Sequence, residues 1–146
     1  MPPDPLILRT DDAARALVAD VESCAYPLER WHHDRHIAVA CWYLWHFPRA
    51  EATRRMRETI QRFNAHHGIA VTPERGYHET LTLAWLARFH RFLAGADRSR
   101  GFARIAADAI AEFSEKRILL EHYTRERILS WEARTGWVEP DLRPLE

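Results

Sequence analysis

The sequence predicts an all-α fold, a single-domain helical bundle of four main helices with short extra helices and an extended C-terminal tail. Three observations lead there. Apolar side chains recur three and four residues apart, the spacing that lays them on one helix face. No segment alternates apolar and polar residues over about four to eight positions, as a half-buried strand would. Proline, glycine and capping residues cut the chain into helix-length pieces.

The elements follow in order. A first helix starts at Thr10-Asp11-Asp12, where acidic residues suit the positive end of the helix dipole. It places Ala14, Leu17, Val18 and Val21 on one face and should end near Cys24, ahead of Pro27. The second helix, about residues 32–47, reads IAVACWYLWHF from Ile37 to Phe47. A helix that is apolar all round is normally buried all round, so this is the expected central helix. Pro48 stops it and suits the start of the next. The third, about 49–67, has a thin apolar stripe of Ala52, Met56, Ile60 and Phe63 on a charged surface, with Gly68 at its C-terminal cap.

Thr72-Pro73 signals a fourth start, and this helix should reach about Leu93 with Leu81, Trp85, Phe89 and Phe92 on one side. A polar loop from Gly95 to Gly101 leads to a fifth helix, about 102–115, carrying Phe102, Ile105, Ala109, Ile110 and Phe113. A last helical region, about 116–134, should break near Thr124, a capping residue. The tail has two prolines and no period, and its Trp137, Val138 and Leu142 point to packing in extended form. The expected organisation is one domain over 1–146, with 1–9 and 136–146 as extended termini.

Composition removes several functions. The 146 residues carry 21 basic and 21 acidic side chains, a formal net charge of zero. A domain of this length buries roughly two-thirds of its unfolded surface, enough for an internal site. A neutral chain has no overall field for gripping phosphate backbones, so no nucleic-acid partner is expected. The basic face of the third helix (Arg49, Arg54, Arg55, Arg57, Arg62) is interleaved with Glu51 and Glu58 and reads as solvated surface. No run of about 18 uncharged apolar residues exists, so no membrane association is expected. The opening MPPDPLILRT lacks the signal-peptide pattern. The two cysteines, Cys24 and Cys41, form no secreted-type disulfide framework. A cytoplasmic location is the expectation, and zero net charge leaves room for a homodimer. Phosphate-binding glycine loops, G-x-S-x-G, C-x-x-C and H-E-x-x-H are missing.

What stands out is nine His and six Trp against five Gly. The densest cluster is Trp31-His32-His33-Asp34-Arg35-His36. Residues three or four apart on a helix are neighbours, so His33 with His36, or His32 with His36, could hold one ion. The helical phase favours His33 and His36: His33 falls inside the stripe of Ile37, Cys41 and Leu44, while His36 and His32 lie toward its edge. A second cluster, Gly76-Tyr77-His78-Glu79-Thr80-Leu81-Thr82, puts His78 in phase with Leu81, Trp85 and Phe92. A buried His needs a partner, because an unpaired polar group costs on the order of 1–3 kcal/mol.

Helices two and four are separated by one intervening helix. In an up-down bundle their N-termini lie at one end, and His33, His36 and His78 converge. Three imidazoles with an open position form a catalytic type of metal site. Glu79 or Glu22 would then be a fourth ligand or general base. Trp31, Tyr43, Tyr77 and Trp85 would wall a pocket for a small organic substrate. Zinc, iron, nickel and copper all suit such ligands. The other six His read as surface or supporting groups. One E-x-x-H, Glu29 to His32, has no second copy, so a di-iron centre is not expected.

The pattern Trp31-x-His33-x-x-His36, then Gly76-Tyr77-His78-Glu79-Thr80-Leu81-Thr82, then Trp137-Val138-Glu139-Pro140-Asp141-Leu142 resembles a family of small, uncharacterised bacterial helical proteins. The resemblance covers the chain from about residue 20 onward. It implies that His33, His36 and His78 matter more than the other six His, and that the tail belongs to the domain. It implies no substrate. The expected function is therefore a metal-dependent enzyme. The competing expectations are a helical binding module with hydrogen-bonded His, and a metal-free acid–base enzyme using His78 and Glu79.

Overall fold

The computed structural model describes residues 4–146, so the first three residues of the expected N-terminal extension lie outside it. The fold is all-α. Seven α-helices and three short 3-10 segments make up the described chain. The pairing of Thr72 with Arg75 is an isolated bridge. Among the described residues no helix is long and apolar enough to cross a membrane.

The first helix, α1 (Asp11–Glu22), is capped by Thr10, whose hydroxyl oxygen accepts the Ala13 amide hydrogen at 3.1 Å. Such a cap contributes about 1 kcal/mol. Ala14, Leu17, Val18 and Val21 are buried, the face the spacing predicted. The second, α2 (His33–His46), buries every residue from Ile37 to Leu44. It packs against α1, α3 (Arg49–His66), α4 (Glu79–Ala94) and α5 (Phe102–Glu112), so it is the central helix. A smaller core joins Ala84 and Ala87 of α4 to Leu119, Tyr123, Ile128 and Leu145.

Two expected elements differ. The fourth helix does not start at Thr72-Pro73. Thr72 to Arg75 form a tight turn, with the Thr72 amide donating to the Arg75 carbonyl at 2.8 Å. Gly76 follows at φ +95°, where a Cβ would sit 2.5 Å from the Ala70 carbonyl oxygen. Only glycine fits so close a backbone approach in the left-handed region. His78 is then the N-cap of α4, its Nδ1 accepting the Leu81 amide hydrogen at 3.1 Å. The expected last helix is also three pieces. Lys116–Glu121 is a 3-10 segment capped by Glu115. Thr124 caps α6 (Arg125–Ile128) and Ser130 caps α7 (Trp131–Thr135). Each hydroxyl restarts the chain instead of letting one helix continue.

The segments before α1 and after α7 are non-helical and tied to the bundle. The Leu6 amide donates to Asp34 at 2.8 Å. Thr80, fully buried on α4, donates to the Gly136 carbonyl at 2.7 Å and accepts from the Val138 amide at 3.1 Å. The Tyr123 hydroxyl donates to the Val138 carbonyl at 2.8 Å, and Asp141 accepts from the amide and hydroxyl of Thr124.

Candidate functional site

The first turn of α2 and the N-terminus of α4 face one cavity of about 710 Å³. Among the residues lining it are Trp31, His33, His36, Tyr77, His78 and Trp85, six of the nine side chains the sequence singled out. The rest of the wall is mainly apolar, from Met56, Ile60, Leu81, Leu86 and Phe89. A cavity of this size, apolar with a few placed polar groups, has the character of a small-molecule site.

Each His is held differently. The Nε2–H of His33 donates to the Phe113 carbonyl at 2.8 Å. This fixes one tautomer and leaves Nδ1 with a lone pair and no partner among the described residues. The Nδ1–H of His36 donates to the His32 carbonyl at 2.9 Å, which leaves Nε2 in the same condition. His36 is stacked on Trp31, with ring centroids 3.9 Å apart, and His33 leans on Trp85 at 5.0 Å. His78 has nothing left to offer. Its Nε2–H donates to the Ile128 carbonyl at 2.8 Å while its Nδ1 accepts the α4 cap bond.

Burial sets the charge state. It is the largest influence on His36, whose pKa falls to about 4; the charges of His33 and Lys116 add to that, and the His32 carbonyl opposes it. Burial also lowers His33, against the pull of the Phe113 carbonyl, and lowers His78 against that of Ile128. All three rings are therefore neutral at pH 7.

The expected carboxylates and one aromatic sit elsewhere. The Tyr43 hydroxyl donates to Glu22 at 2.9 Å and receives the Thr59 hydroxyl at 2.8 Å. This buried cluster joins α1, α2 and α3, and neither Tyr43 nor Glu22 lines the cavity. Glu79 is also outside the lining. One of its oxygens accepts the Tyr77 hydroxyl at 2.6 Å and the other pairs with Arg57 at 2.9 Å. Glu22 and Glu79 thus hold elements together instead of facing a ligand. Among the described residues no group of three or more His, Cys, Asp or Glu is placed to hold one ion. Of the three expected ligands only His33 and His36 keep a free nitrogen; His32, the alternative ligand, also lines the cavity and its side chain makes no hydrogen bond among the described residues.

The two cationic side chains of the cavity, Lys116 and Arg75, went unread in the sequence. The missed signal is compositional: Lys116 is the chain's single lysine among 21 basic residues. The ring of Trp31 lines the cavity, while its indole N–H is buried without a partner among the described residues. Comparison with protein-family models, curated proteins and solved structures finds no match to this chain, so the site is read from its own geometry.

Proposed function

We propose that the protein is an enzyme acting on a small, mainly apolar organic molecule held between α2 and α4, with His33 and His36 moving protons to and from it. One observation carries this reading. Two neutral imidazoles, each pinned at one nitrogen by a main-chain carbonyl, leave the other nitrogen free on the wall of one apolar cavity. A carbonyl behind the ring selects the tautomer and supports the imidazolium that forms when the free nitrogen takes a proton. Burial keeps His36 unprotonated at neutral pH, so its Nε2 carries a free lone pair there, as a weaker base than an exposed imidazole. The Trp31 and Trp85 rings hold both imidazoles against reorientation.

A metal-dependent form of this reading keeps His33 and His36 as ligands to zinc, iron, nickel or copper. Both nitrogens of His78 are spent, which counts against it. One assay addresses both forms. Hydrolysis of p-nitrophenyl acetate, a small apolar aryl ester, reports accessible neutral imidazoles. The double variant His33→Gln/His36→Gln keeps a donor for each carbonyl and should lose roughly tenfold or more of the rate. An unchanged rate in that variant contradicts the proposal. A rate that disappears with a chelator, and returns with metal, transfers it to the metal-dependent form.

A further inference from the structure

We infer that the ligand of this cavity carries an anionic group, a carboxylate or a phosphate, seated at the rim by Lys116 and Arg75, with an apolar ring system lying inside against Trp31 and Trp85. This deepens the reading above and rests on it for the identity of the site. Three observations carry it. The residues that line the cavity include no Asp or Glu, yet they include Lys116 and Arg75. Neither cation has an ion pair among the described residues. Three of the acids that stand close in the chain to cavity residues are engaged elsewhere. Asp34 holds Arg35 at 3.0 Å and the Leu6 amide at 2.8 Å. Glu79 holds Arg57 and Tyr77. Glu115 caps the Arg117 amide at 3.2 Å, and Glu74 makes no ion pair among the described residues.

The cavity thus has apolar walls and two exposed cations without an ion pair among the described residues. Charge of one sign beside low-dielectric walls focuses the field and draws in the opposite sign. The same field helps keep His33 and His36 uncharged, because Lys116 opposes protonation of both. An anion seated there supplies the opposite charge.

The test uses four probes, 2-naphthoate, 2-naphthyl phosphate, 2-naphthamide and inorganic phosphate, titrated into the full chain at low ionic strength with calorimetric detection. At least one of the two naphthyl anions should bind about tenfold or more tighter than the neutral amide, and the better of the two identifies the anion class. In Lys116→Met/Arg75→Met that ratio should fall below about threefold, while Lys116→Arg should keep it. Both side chains are exposed, so the variants should fold. Equal affinity for amide and anions overturns the inference and leaves the proton-transfer reading to the ester assay. So does a ratio that survives the double variant. Inorganic phosphate binding as tightly as naphthyl phosphate overturns the apolar half. Failure of every naphthyl probe to bind overturns the inference and the cavity's role in the proposed function together.

Discussion

At the residue scale, the histidines divide by what their nitrogens do. His78 is structural: it caps α4 and holds the Ile128 carbonyl. His78→Ala should cost about 1–3 kcal/mol in urea denaturation, the loss of a cap plus a buried carbonyl left unpaired. His78→Asn should recover the cap share. His36 makes stability depend on pH. Its folded pKa lies near 4, below the ordinary value near 6.5. The unfolded chain therefore binds more protons between those values, and stability falls as pH drops through that window. At about 1.4 kcal/mol per unit, the full displacement is on the order of 3 kcal/mol. His36→Gln should flatten that part of the stability–pH curve. His33 and His78 are lowered too and contribute in the same direction. The sequence could show that these His lie at helix starts near apolar stripes. It could not show which nitrogens were spent, because the acceptors at Phe113 and Ile128 come from distant parts of the chain.

At the element scale, periodicity was informative where a helix is amphipathic or wholly apolar. The buried face of α1 and the burial of α2 were both legible. Helical phase gave His78 a place on the α4 stripe, but phase assumes that the residue is already inside the helix. The tight turn at Thr72–Arg75 and the left-handed Gly76 shift the start to Glu79. Gly76→Ala should be destabilising by about 1–3 kcal/mol, measured as a lower urea midpoint, because the new Cβ meets the Ala70 carbonyl in a strained conformation. Glu22, Tyr43 and Thr59 show the limit from the other side. Their meeting spans three helices, and no local pattern encodes it.

At the scale of the whole molecule, the cavity depends on distant segments. Arg134 on α7 donates to the Gly76 carbonyl at 2.8 Å and so anchors the strand of chain that carries Tyr77 and His78. Arg134→Met should speed amide hydrogen exchange around residues 76–81 while leaving the α2 core protected. Thr80→Val removes the two bonds to the tail and should cost about 1–3 kcal/mol. The convergence of the first turn of α2 with the start of α4 was legible from helix order alone. The place of Lys116 on the cavity was not, since it opens a short 3-10 segment without a period. The proposed chemistry needs two neutral imidazoles with fixed tautomers on one cavity wall. Long-range proton–nitrogen NMR of the labelled histidines tests that most directly. His36 should be the Nδ1–H tautomer with a titration midpoint near 4, and His33 the Nε2–H tautomer at pH 7. A His36 that titrates near its ordinary value of about 6.5, or a mixture of tautomers at either ring, would contradict it.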